Sequence, residues 1–140
     1  MHKFISIAVV AVGVSVSAGG ADAAPSCTFD GTWTASNPGG RTTFTSKLVT
    51  ATHSMTVDRT GGGLPNAHIE GVYTYDSTSG QITLTNKSVS TADMAFFACV
   101  DVPGTYKVNF TDCSHITLAL VSDNCVPRTM GPGRATFTKQ

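Results

Sequence analysis

The chain is predicted to be all-β: an eight-stranded up-and-down antiparallel barrel, with a β-sandwich as the alternative, held by two disulfides. Three observations predict this. Apolar residues recur at every second position among Thr, Val, Tyr and Phe, the pattern of half-buried strands. Clusters of Gly, Pro, Asn and Asp cut those runs into short segments, as in small barrels and sandwiches. The four cysteines, Cys27, Cys99, Cys113 and Cys125, all follow an apolar leader. An even count in that setting argues for two disulfides formed in an oxidising compartment.

Residues 1–23 read as a signal peptide. Lys3 gives the positive start, Phe4 to Ala18 the apolar run, and Ala21-Asp22-Ala23 the small residues a signal peptidase needs. The run is about 15 residues, short of the roughly 20 that a spanning helix requires, so no membrane span is expected. Residues 24–140 then form one domain, without repeat, low-complexity tract or linker. The expected location is secreted: extracellular, or periplasmic if the source is bacterial.

The strands follow in order. In 28–35, Phe29, Gly31 and Trp33 share a face. After the Asn37-Pro38-Gly39-Gly40 turn, 41–49 places Phe44, Ser46 and Leu48 together. The third strand, 52–59, carries Met55 and Val57. A loop from Gly61 to Pro65 leads to 68–76, with Ile69, Gly71, Tyr73 and Tyr75 inward. The turn from Asp76 to Gly80 leads to 80–86, with Ile82 and Leu84. Residues 91–98 break the alternation and read as a short helix, with Ser90 as N-cap and Asp93 in its first turn. The sixth strand, 104–110, alternates Tyr106, Val108 and Phe110. The seventh, 115–121, alternates Ile116, Leu118 and Leu120. Beyond Gly131 to Gly133, 134–139 closes the chain with Ala135 and Phe137.

Strand geometry ranks the cysteine pairings. A straight strand from Cys113 to Val121 advances about 26 Å at roughly 3.3 Å per residue. Four more residues return at most about 14 Å. Disulfide Cα atoms lie within about 7 Å, so Cys113 and Cys125 do not pair. In a closed up-and-down meander, Cys27 and Cys113 meet at the end where the seventh strand starts, the near end. Cys99 and Cys125 meet at the opposite, far end. The expected bridges are Cys27–Cys113 and Cys99–Cys125. Short links fall at the near end, while 60–67, 87–103 and 122–133 gather at the far end, where a ligand or partner is expected to be met.

With the fold in place, Gly31-Thr32-Trp33 on the first strand resembles the Gly-x-Trp signature of calycins, the lipocalin and avidin barrels. The turn at 37–40 and Gly71-Val72-Tyr73 resemble the avidin pattern that follows it. Asp123-Asn124-Cys125-Val126-Pro127-Arg128 is similar to the tail of small secreted lipocalin-like proteins. The resemblance implies that Trp33 plugs the closed end and that Lys139, near the end of the last strand, covers it. A single tryptophan argues against a biotin site.

Charged residues make up 13% of the chain and balance to zero, so there is no basic stripe for nucleic acid. No cysteines stand at zinc spacing, and His53, His68 and His115 have no partner at ligand spacing. Ser114 and His115 point to opposite faces of an extended chain, and no Gly-x-Ser-x-Gly elbow exists. Glu70 is the only glutamate, and Gly61-Gly62-Gly63 lacks the Lys-Ser/Thr of a phosphate loop. No metal, no cofactor and no enzymatic activity are therefore expected.

Two functions remain. The first is a secreted lipocalin-like protein that holds a small, partly apolar ligand at the open end, with Tyr106 as contact and Phe96 and Phe97 as a lid. The second is a protein-interaction module, a protease inhibitor or host-directed effector acting on a secreted or host protein through 60–67, 87–103 and 122–133. In that case Arg128 would be an exposed side chain for a protease pocket, or else the partner of Asp123. An empty lumen of a few hundred cubic ångströms favours the first, and a filled core with an exposed aromatic patch the second. Asn86-Lys87-Ser88 and Asn109-Phe110-Thr111 are glycosylation sequons that matter only in a eukaryotic source, and Asn109 is expected to face outward.

Overall fold

The structure is a computed structural model that describes residues 26–140; the expected signal peptide lies outside the described residues. Eight strands run in order: β1 (Gly31–Ser36), β2 (Thr42–Val49), β3 (Ser54–Gly61), β4 (Ala67–Asp76), β5 (Gln81–Val89), β6 (Pro103–Asp112), β7 (His115–Asp123) and β8 (Thr136–Lys139). Each pairs antiparallel with the next, and β8 pairs with β1 through Trp33↔Lys139 and Thr34↔Thr138. The barrel is thus closed, and the sandwich alternative is excluded. Both expected disulfides form, Cys27–Cys113 with Cα atoms 4.9 Å apart and Cys99–Cys125 with Cα atoms 5.8 Å apart.

Local chemistry places the near-end turns. Asp76 accepts from the Thr78 amide at 2.9 Å and the Ser79 hydroxyl at 2.8 Å, and Gly80 supplies the left-handed φ of +68° that ends the turn. Asp112 accepts from the Ser114 amide at 2.7 Å. Residues 50–53 are a turn rather than the start of β3, because His53 sits at φ +54°.

The first strand also starts later than its alternation suggests. Gly31 at φ +123° interrupts the extended run. Phe29 therefore leaves the sheet and crosses the near end, where its ring meets those of Tyr73, Tyr75 and Phe110. The Trp33 indole N–H donates to the Phe29 carbonyl at 2.9 Å. Lys139 Nζ stands 5.4 Å from the centre of the Trp33 ring and donates to the Thr28 carbonyl at 3.3 Å. This end is sealed by side chains.

The far end is covered by helical turns. Residues Ala92–Met94 form a 3-10 turn that runs into α1 (Ala95–Ala98). Asp93 lies in its first turn as expected, but Thr91 takes the cap position without a side-chain bond. Ser90 instead accepts from the His68 amide at 3.0 Å, which ties the lid to β4. The long link before β8 contains α2 (Val126–Met130) and a 3-10 turn at Pro132–Arg134. β8 consequently begins two residues later than the alternation suggests. Among the described residues, no helix is long and apolar enough to cross a membrane.

Leu120 departs from the inward pattern. It pairs with Tyr106 yet is 56% exposed. The β7–β8 pairing ends at Thr117↔Thr136, so Leu120 and Val121 lie beyond the strand that would have covered them.

Candidate functional site: a capped barrel interior

A cavity of about 150 Å³ remains inside the barrel. Its wall is mostly apolar. Trp33 and Phe29 line it from the near end, Ile82, Ile116 and Phe137 from the strands, and Met94 and Phe97 from the lid. Period-two alternation along the strands produces this wall, with Thr the commonest residue on the outward face.

Four polar side chains shape its far half. Arg59 on β3 faces inward and is buried; Nη1 donates to the Pro65 carbonyl at 3.2 Å. Asn86 on β5 is buried and donates from its amide to the Ala98 carbonyl, so it holds down the end of α1. The Tyr106 hydroxyl donates to Asp123. Arg128 on α2 is also buried. Its Nε donates to Asp123 Oδ2 at 2.5 Å, and its Nη2 to Asp123 Oδ1 and the Val102 carbonyl, both at 2.8 Å. Arg128 Nη1 is buried with no hydrogen-bond partner among the described residues.

Asp123 is the hub of this network. Its side chain is fully buried. Burial alone would raise its pKa, but hydrogen bonds from Arg128, Tyr106 and the Cys125 amide outweigh it and hold the pKa below the usual carboxylate range. The Tyr106 phenol is pushed up by burial and by donating to a carboxylate, so it stays protonated. Burial opposes the Arg128 charge, yet Asp123 more than restores it. Gly104 makes room for the pair, since a Cβ there would fall on the Asp123 carboxylate and 2.8 Å from Arg128 Nη2.

The residues singled out from the sequence fall as follows. Tyr106 is fully buried beneath the lid and lines the cavity. Phe97 lines it too, whereas Phe96, 76% exposed, points to solvent. Trp33 and Lys139 meet at the sealed end. Arg128 is not an exposed specificity residue; the carboxylate of Asp123 and the folding of 126–130 as a helix turn it inward, which removes it as a protease contact. Asn109 faces outward, but Asn86 is inward-facing and bonded, so its sequon is inaccessible in the folded protein. Arg59 and Met94 carried no expectation. Arg59 follows Met55 and Val57 at the same alternation, and a charge at an inward position was the available signal.

Among the described residues, no group of three or more His, Cys, Asp or Glu side chains is placed to hold a metal ion. The fold and site together define a closed eight-stranded antiparallel barrel with an internal, lidded cavity. No protein-family model matches the chain, and no similar curated protein or solved structure is found.

Proposed function

We propose that this protein is a secreted, non-enzymatic binding protein of calycin type, which holds a compact, partly apolar molecule in the barrel interior. The cavity beneath the lid carries the proposal. An interior filled by its own Phe, Tyr and Leu would leave no such space. Calycin kinship is supported by the tryptophan of Gly31-Thr32-Trp33 at the sealed end with Lys139 over its ring. The volume is below the few hundred cubic ångströms of a drug-sized pocket, so the ligand is small. Native mass spectrometry of protein recovered from its own source tests this. A co-purifying small molecule that leaves on unfolding is expected, and a clean apo mass from every preparation refutes it.

A second reading rests on a different observation. Phe96, Leu120, Val121, Val126 and Met130 are all exposed, and they lie on or beside the two lid segments. Such apolar exposure supports a protein-interaction module working through 87–103 and 122–133. Phe96→Ser with Val126→Ser would abolish partner capture on that reading and leave small-molecule retention unchanged.

A further inference from the structure

The cavity wall contains two arginines and no acidic side chain. Arg128 is neutralised from behind by Asp123. Arg59 forms no ion pair among the described residues, although it is about nine-tenths buried. A guanidinium in an apolar setting ordinarily has a carboxylate partner, because the cost of leaving water is not otherwise offset. The far half of the cavity therefore has one net positive charge without a counterion. Arg128 Nη1 is itself buried without an acceptor.

Both arginines line the same cavity. Phe44 pairs with Arg59 across β2 and β3. The same phenyl ring lies 3.1 Å from where a Cβ of Gly131 would stand, one residue past the helix that carries Arg128. Phe44, Arg59 and Arg128 all line the cavity. Ser46, Asn86 and Tyr106 are the other polar side chains of a mostly apolar wall. An apolar cavity of about 150 Å³ accepts a benzene-sized molecule.

We propose that the cavity takes a compact organic monocarboxylate, an aromatic ring or short chain of about six carbons, with its carboxylate met by Arg59. The proposal rests on the ligand-binding reading above and adds the charge, the head group and the size. One negative charge matches the one cation left uncompensated, so a dianion such as a phosphate monoester is disfavoured. A carboxylate matches the planar donor fork of a guanidinium. Long-chain acids exceed the volume.

The test uses three probes of nearly equal size, benzoate, benzamide and toluene, titrated by calorimetry into the folded protein with both disulfides formed. Benzoate is expected to bind at least tenfold more tightly than either neutral probe. Arg59→Met is expected to remove that preference, and Arg59→Lys to keep part of it. If Arg59→Met fails to fold, the comparison of benzoate with benzamide on the unaltered protein still decides. Toluene or benzamide binding as tightly as benzoate overturns the anion site and leaves the ligand-binding reading standing. If none of the three binds, both are overturned.

Discussion

Removal of the Cys27–Cys113 bridge is the sharpest test of how this barrel stays closed. The seam between β8 and β1 has only two register pairs, and β7 meets β8 over three. The amides of Lys139 and Gln140 extend it, donating to the Ser114 and Thr32 carbonyls at 2.8 and 2.9 Å. The bridge spans a sequence separation of 86 residues across that seam. Restricting a loop of that length in the unfolded chain stabilises the fold by about 4.6 kcal/mol at 25 °C in the chain-entropy treatment. The same relation gives about 3.5 kcal/mol for Cys99–Cys125, whose separation is 26. Neither Cys27 nor Cys113 is buried, so alanine there loses little packing. Cys27→Ala with Cys113→Ala should therefore destabilise by about 4–5 kcal/mol, a large share of a small domain's total. Urea unfolding followed by the fluorescence of Trp33 measures it. Hydrogen exchange should quicken first at Lys139 and Gln140, while the β4–β5 amides stay protected. A loss below about 2 kcal/mol, or even quickening around the barrel, would refute the idea that one bridge secures the seam.

Four other outcomes are expected. Asp123→Asn leaves Arg128 as an uncompensated buried cation and should cost about 3–5 kcal/mol, with a second change, Arg128→Met, recovering part of it; denaturant midpoints check both. The depressed Asp123 pKa adds stability that is complete above the unfolded-state value of about 3.9 and is lost as pH falls through the lower folded value. The wild-type midpoint should thus fall below about pH 4 more steeply than that of Asp123→Asn, and parallel curves would contradict this assignment. Gly104→Ala should cost about 1–3 kcal/mol by forcing Asp123 and Arg128 apart, and a wild-type urea midpoint would show that the pair has slack. Expressed through a eukaryotic secretory pathway, the protein should carry a glycan at Asn109 and none at Asn86, readable as the mass lost on enzymatic deglycosylation; a glycan at Asn86 would mean that β5 is modified before it folds.

Much of this architecture was legible in the chain because the controlling interactions are short-ranged or strongly constrained. Alternation places Phe44, Tyr73, Ile82 and Tyr106 inward, since side chains of a strand can only alternate. Reach excluded one cysteine pairing, and the closed up-and-down meander supplied the rest. Departures arose where one residue's backbone overrode its neighbours' pattern: Gly31 moved the start of β1, and His53 moved that of β3. The lid was half legible. Residues 91–98 looked helical, but the five-residue α2 is too short for a helical period to register, and only Pro127 in its first turn marks it. Arg128 was half legible. Of its two expected roles, the pair with Asp123 forms, while the exposed protease contact does not, and nothing nearby in the chain reveals that Val102, 26 residues away, supplies another acceptor.

By itself, the sequence indicated the strand order and, for a closed meander, the pairing of four cysteines, both consequences of chain geometry. Only the tertiary structure decided that the sheet closes as a barrel rather than a sandwich, that the far end is lidded, and that Arg59 and Arg128 line one cavity of about 150 Å³. Those properties depend on how side chains from distant strands fill a common volume and cancel one another's charge. Packing and electrostatics of that kind are set in three dimensions and leave no period in the chain.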